Sequence, residues 1–429
     1  MRLTHTTAMV AGTIIGASIF VQPSEITRHV PTVAGVLLAW TLSGVLTLFG
    51  ALVCAELATA YPEAGGVYVF LKRAFSPALG FLWGWAMFWS MHSGIIAAIA
   101  VIFARYVGFF VPLGDTGIRL VAIAAILTLS AINYVGVRQG STVQTAFTLG
   151  KVIAIVILIA AGFTFGSPAA ERAASSAVEI AGPAMAWSAR ELVLALIAGL
   201  FAFGGWHMVT YTAEETLDPG RTIPRALMLG IAIVTLCYVA LNAAYLYVLP
   251  LETVIRSTRV AADAANILVG PSGAAVMSGL VIFSTYGSLS GIVLTGPRVY
   301  FAMARDGLLF RWFGEVHPRF RTPHRAIVLQ AIGSSMLVAT GTYRQLFTRV
   351  IYTEWIFFGL MAVGLMLMRR RTGYSPAYRM WGYPFTPALF AISSAAIVVN
   401  QVISDPRESA IGLALVLAGL PVYWRWSRK

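Results

Sequence analysis

Twelve apolar runs, most of them near the roughly 20 residues that carry a helix across a bilayer, set the limits on what this 429-residue chain can become. They are read at Thr6–Ser24, Val33–Tyr61, Pro77–Gly108, Ile118–Tyr134, Gln144–Phe165 and Glu191–Thr212, then at Ile223–Leu249, Pro271–Ala304, Ala326–Thr340, Leu346–Met368, Pro387–Val402 and Ala410–Trp424. Only 11% of the residues are charged, 58% are apolar, and the mean hydropathy is +0.80. A soluble domain carries about 25% charged residues to cover its surface, so a large soluble core is excluded. Short alternating strands, the mark of a membrane barrel, are absent from the pattern. The fold class is therefore an all-α polytopic membrane protein of about twelve spans.

Charge sets the expected orientation. With the N-terminus in the cytoplasm, 19 of the 30 Lys and Arg fall on the inner side, among them Lys72, Arg73, Arg138, Arg221, Arg225 and Arg369 to Arg371. Ten, such as Arg28, Arg105, Arg190, Arg344 and Arg349, fall outside, and Lys151 lies within span 5. The inward excess predicts both termini in the cytoplasm of a cell (inner) membrane. The net charge of +13 is thus a topology signal with room for lipid contact, not a nucleic-acid footprint. Trp312, Trp381, Trp424 and Trp426 sit near predicted interfaces, as aromatic belts do. No cleavable leader is expected ahead of span 1. The stretch before span 6, "SPAAERAASSAVEIAGPAMAW", reads as an outer loop, and "RDGLLFRWFGEVHPRFRTPHR" after span 8 as an inner one.

Spans 1 and 6 are poor helices. Span 1 contains "GTIIGASIF", Gly12 to Phe20; span 6 contains "AGLFAFGGWHM", with Gly199, Gly204 and Gly205. Each glycine in a helix interior costs about 1 kcal/mol relative to alanine. Unwinding there frees backbone groups that the bilayer tolerates only against protein or a polar cavity. Freed amides attract an anion and freed carbonyls an ammonium. The two spans are five apart, an odd number, so they belong to repeats of opposite orientation, and such pairs point to a transporter site. The competing reading is close helix packing through small-xxx-small spacing, which Gly12 and Gly16 also satisfy.

Other features carry less. Cys54 and Cys237 lie within apolar runs and read as packing residues. No His/Cys cluster has metal spacing, no cofactor motif or nucleotide-binding P-loop occurs, and coupling must therefore come from a gradient or from exchange. "GSLSG", Gly287 to Gly291, suggests the nucleophile turn of a hydrolase, with His92 as the sole candidate base; an intramembrane hydrolase is a remote alternative. A channel would need a polar lining or a ring of charge, and neither is present. His92 and His207 are intramembrane ionisable groups and candidates for selectivity. Glu56 is expected to pair with Lys72 or Arg73, and Glu214, Glu215, Asp218, Arg221 and Arg225 form a mixed inner cluster. No acidic side chain is evident in the predicted pocket.

Five stretches carry a family likeness: "GTIIGASIF", "YPEAGGVYVFLKRAF", "FTLGKVIAIVILI", "LFAFGGWHMVTYTAEETLDPGRTIPRA" and "GSLSGIVLTGPRVYFAMARDGLLF". Through them the chain resembles the amino acid–polyamine–organocation superfamily, and within it the L-type amino acid transporters. The resemblance implies a five-plus-five inverted repeat with discontinuous spans 1 and 6 and two added C-terminal spans. Residues 1–166 would be the first repeat, 187–371 the second and 380–429 the added pair. It implies that Gly16, Ala17 and Ser18, after Ile14, hold a substrate carboxylate through backbone amides. Carbonyls near Phe201, Ala202 and Gly204 would take the α-ammonium, with Phe201 as an aromatic gate. The family often has Gly-Ser-Gly at Gly16-Ala17-Ser18, and Asn where this chain has His207.

The function implied is sodium-independent secondary transport of neutral amino acids by exchange and alternating access. A proton-coupled symporter and an amino acid/polyamine antiporter are the alternatives. Lys151 would stand where sodium-coupled proteins of this fold hold a cation, facing carbonyls near Ile14 and Ile15 and the hydroxyls of Ser288 or Ser290; snorkelling to the inner face is the competing reading. Human members of the family join a heavy chain through a cysteine between spans 3 and 4. That loop here, "YVGFFVPLGDTGIR", has none, so no disulfide-linked partner is expected.

Overall fold

The computed structural model describes residues 2–63, 65–136, 141–166, 187–305, 307 and 309–427, with backbone alone for 141–149, 212, 214–215, 295, 298–299, 301–302, 305, 311 and 427. Arg138 and the stretch 167–186 lie outside the described residues, and of Glu214 and Glu215 only the backbone is described.

Every element among the described residues is helical, and these helices group into the twelve spans read from the sequence. Nine helical passes are long and apolar enough to cross a membrane. The remaining three are span 5 (Ser141–Phe165), the 17-residue span 9 (His324–Thr340) and span 1, which is split into Leu3–Ile14 and Gln22–His29. Helix starts follow local chemistry. Thr32, Ser76, Ser188 and Asp405 each accept from the amide three residues on, at the heads of spans 2, 3, 6 and 12. Thr342 and Gln345 cap span 10 reciprocally. Side-chain oxygens there satisfy amides that a helix start leaves unpaired.

Three features depart from the sequence reading. The "YPEAGGVYVFLKRAF" stretch folds into a short helix, Val67–Ala74, whose apolar residues Val67, Phe70, Leu71 and Ala74 are buried. Two more short helices, Leu251–Arg256 and Val260–Val269, join spans 7 and 8. Span 12 divides into Pro406–Leu417 and Gly419–Ser427.

Spans 3 and 6 are the most enclosed passes, while spans 4, 11 and 12 show most of their surface outward. Span 2 (Val33–Ala60) packs along span 7 (Pro219–Val248), and both flank the broken spans. Glu56, buried at the end of span 2, does not pair with Lys72 or Arg73. It accepts from Arg369 at 2.7 Å (Nε) and 2.5 Å (Nη2) and from the Met380 amide at 2.8 Å. That bond also raises Arg369 above its ordinary pKa. Arg73 turns instead to Glu63 at 2.7 Å, and Arg371 covers the carbonyls of Arg73 and Ala74 at 2.8 and 2.7 Å. The cations at the end of span 10 thus tie together the end of the bundle that holds the chain's start.

Candidate functional site

Span 1 stops being α-helical at Ile14. Ile15 has φ −68° and ψ 85°, and the chain resumes as a 3-10 turn, Ser18–Phe20, before Gln22–His29. Among the described residues the amides of Gly16, Ala17 and Ser18 donate to no backbone carbonyl. Gly16 itself does not serve close packing: a Cβ there would meet only the Ile14 carbonyl, 3.7 Å away. At Gly16 the stretch "GTIIGASIF" unwinds and does not serve close packing.

Span 6 breaks in the same way. Its α-helix, Ala189–Ala202, ends in a turn through Phe203, Gly204 and Gly205 and continues as a 3-10 segment, Trp206–Glu215. The three glycines separate by role. Gly199 packs span 6 onto span 2, where a Cβ would strike Ser43 Oγ at 2.3 Å. Gly205 has φ +94°, and a Cβ would lie 3.2 Å from the Thr13 carbonyl; a side chain would be strained there and would push the two breaks apart. Gly204, like Gly16, is only partly buried in a buried stretch.

A residue absent from the sequence reading holds the breaks in register. Tyr238 of span 7, fully buried, directs its hydroxyl at the Ile14 carbonyl (3.0 Å) and the Ala202 carbonyl (3.2 Å). One proton is shared between the carbonyl ends of both half-helices. Tyr106 of span 3 bonds the Phe20 carbonyl at 3.0 Å. Phe201, 6% exposed, lies against Phe347 of span 10 with ring centroids 5.6 Å apart.

The other predicted residues are distributed around this centre. Lys151 is buried, which removes snorkelling, and its Nζ donates to Ser288 Oγ at 2.5 Å. Ser288 in turn donates to the Ser284 carbonyl at 3.1 Å. The Ile14 carbonyl expected to face Lys151 is taken by Tyr238. Ser290 is buried close by on the same helix. His92 bonds the Ile292 carbonyl through Nε2 at 2.9 Å and joins span 3 to span 8. His207 is ringed by Trp83, Trp206, Tyr211 and Phe358 at 5.2 to 5.8 Å. Asp218 and Arg221, of the mixed cluster, meet only at 4.0 Å and are exposed.

A buried acidic side chain not singled out in the sequence lies on span 10. Glu354 of span 10 is 2% exposed, on the side of that helix that meets span 6. The serine stretch Gly287–Gly291 lies within the helix Pro271–Arg305, with Leu289 at its centre, and makes no strand-to-helix elbow. At the opposite end from the chain's start is a cavity of about 290 Å³ lined by Glu25, Arg344, Arg349 and Glu408. Glu25 bonds Arg344 at 2.5 Å, and Arg349 bonds Glu408.

The chain as a whole is similar to known transporters. A model of the amino acid permease family matches residues 2–421. This chain belongs to the amino acid permease family. It is 32% identical to the serine/threonine exchanger SteT of Bacillus subtilis, over 98% of this chain and 95% of the relative. It is 31% identical to the human large neutral amino acids transporter small subunit 2 (98% and 79%) and 30% identical to the human cystine/glutamate transporter (98% and 84%). The protein is a multi-pass membrane transporter and not an enzyme, which disposes of the hydrolase alternative.

Proposed function

We infer that this protein exchanges neutral amino acids across the plasma membrane without sodium, by alternating access, with both termini in the cytoplasm. The observation that carries the reading is the pair of facing breaks. Among the described residues the amides of Gly16, Ala17 and Ser18 donate to no backbone carbonyl, and the carbonyls of Ile14 and Ala202, one from each break, meet at the Tyr238 hydroxyl. Main-chain donors suit an α-carboxylate and main-chain acceptors an α-ammonium. Phe201 is the ring that covers them. The exchange mode draws on the printed names of the relatives, among them a serine/threonine exchanger.

Lys151 supports sodium independence. Its ammonium, buried against Ser288, supplies a fixed positive charge in a region where a coupled transporter would bind a cation. Residues 1–166 and 187–371 are taken as the two repeats, because spans 1 and 6 break alike and spans 2 and 7 pack together. No disulfide-linked heavy chain is proposed: Cys54 is buried and Cys237 is half-buried within span 7.

Counterflow in proteoliposomes tests the reading. Preloaded unlabelled neutral amino acids should drive uptake of the labelled ones, equally in sodium and in choline buffer. The decarboxylated amines should compete poorly, since they lack the group that the amides bind. Equal competition by an amino acid and its amine, or uptake that requires sodium, would sink the assignment.

A further inference from the structure

Spans 4 (Asp115–Val135) and 9 (His324–Thr340) pack together and leave an apolar groove of about 340 Å³ between them. Leu127, Val328 and Ile332 line it and are close to half exposed, and no lining residue belongs to spans 1, 6 or 10. Two lining groups are polar. Ser130 is 6% exposed, and its hydroxyl has no hydrogen-bond partner among the described residues. Tyr134 stands one turn further on, about 6 Å along the axis, at the end of the bundle that holds the chain's start. That end of the groove is positive. The turn from His317 to His324 is docked on Tyr134: the Thr322 hydroxyl donates to the Tyr134 carbonyl at 2.8 Å, and the rings of His317, Phe320 and His324 lie 5.5, 6.0 and 5.8 Å from the Tyr134 ring. Phe320 carries the Arg319 guanidinium over its face at 5.5 Å, and Arg321 follows it, exposed. From Leu309 to Arg325 the sequence holds four arginines and a single acid, Glu315. Glu315 bonds Arg325 at 2.9 Å. Neither Arg319 nor Arg321 has a carboxylate partner among the described residues.

We propose that this groove binds an anionic phospholipid, with an acyl chain between spans 4 and 9 and the headgroup phosphate held by Arg319 and Arg321. The Ser130 hydroxyl, one turn deeper, donates to an ester carbonyl of the same lipid. Against plain hydrocarbon that hydroxyl would stay unsatisfied, which the bilayer penalises. Tyr134 lies between chain and headgroup, the level at which amphipathic rings collect. A zwitterionic phospholipid has the same chains but gains less from the rim, because its own ammonium faces the same two cations. Each arginine near an anionic headgroup contributes roughly a fivefold preference.

Native mass spectrometry of the full chain, released from micelles holding equal phosphatidylglycerol and phosphatidylcholine, reads the ratio of the two lipids retained. Phosphatidylglycerol should be retained at least about fivefold more. Arg319→Gln combined with Arg321→Gln should bring the ratio toward one; both side chains are exposed, so the fold should hold. Should that variant not fold, raised ionic strength should lower the ratio in the native protein. Ala131→Phe, at an exposed lining position, fills the groove and should remove the retained phosphatidylglycerol while leaving both arginines in place. Excess inorganic phosphate should not displace the lipid, because it lacks the chain. Equal retention of the two lipids by the native protein overturns the proposal, as does a preference that survives both the double substitution and raised ionic strength. Unchanged retention in Ala131→Phe, or displacement by phosphate alone, overturns it in favour of a headgroup contact with the loop only.

Discussion

Tyr238 is the single side chain on which the geometry of the proposed binding centre most depends. Its hydroxyl proton is shared by carbonyls from residues far apart in sequence, Ile14 and Ala202. Tyr238→Phe keeps the ring, which packs edge-on to Trp40 at 5.4 Å, and removes only the tie. A typical intramolecular hydrogen bond is worth about 1 kcal/mol net, or roughly fivefold in an equilibrium. The expected outcome is a fall in substrate affinity of that order at near-normal yield, read by tracer competition. Unchanged affinity would show that the breaks hold their register without it. Lys151 is a harsher case. Lys151→Ala removes the one ammonium bonded to Ser288, and exchange should drop by more than about tenfold in sodium-free buffer; unaffected exchange would leave the charge without a coupling role. The sequence exposed these residues unequally. Lys151 is conspicuous because a charge in an apolar run is rare. Tyr238, in "TLCYVAL", is one aromatic among many apolar residues, and its importance comes from partners that only the fold delivers. Glu56 shows the same failure: the nearest cations in sequence are Lys72 and Arg73, but the bundle brings Arg369.

At the scale of the element, the two broken spans turn on glycines whose roles are separable. Gly205 needs its left-handed φ of +94° and a bare approach to Thr13. Gly205→Ala should cost about 1–2 kcal/mol in backbone strain and more in displaced packing, and a thermal-shift assay should show a clearly lower melting temperature. Gly16→Ala should behave differently. Its methyl would meet only the Ile14 carbonyl, at an ordinary 3.7 Å, so stability should hold while uptake falls, because the methyl stands beside the amides proposed to bind the carboxylate. Loss of stability in Gly16→Ala with normal uptake would mean that the position serves packing and not substrate. Glycine clusters at positions 12–16 and 199–205 made both breaks legible, since poor helix formers five spans apart have few other uses. Less legible were the short helices Val67–Ala74 and Val260–Val269. At 8 and 10 residues they fall below the length at which helical periodicity stands clear of a loop, and their stability comes from burial against the bundle.

At the scale of the whole molecule, alternating access needs each end of the bundle to open in turn. The end opposite the chain's start is crossed by a charged seam. Glu25, on the second half of broken span 1, bonds Arg344 at the head of span 10. His29 of the same half-helix meets Glu191 at the head of span 6 at 2.6 Å. Opening that end by moving spans 1 and 6 away from span 10 would separate Glu25 from Arg344. Arg344 is 48% exposed and Glu25 is 8% exposed, so solvent screening holds the pair to about 1 kcal/mol. That corresponds to roughly a fivefold change in the open population. Arg344→Gln should therefore raise the accessibility of the cavity it lines. A cysteine at Thr348, another lining residue, should react several times faster with an impermeant thiol reagent in the Arg344→Gln background. The exchanged pair Glu25→Arg with Arg344→Glu should restore slow labelling, and high salt should speed the native protein toward the variant. Equal labelling in all three proteins would mean that the seam is surface decoration, and the resting state of that end would then have to be set by aromatic packing at Phe201 and Phe347 alone.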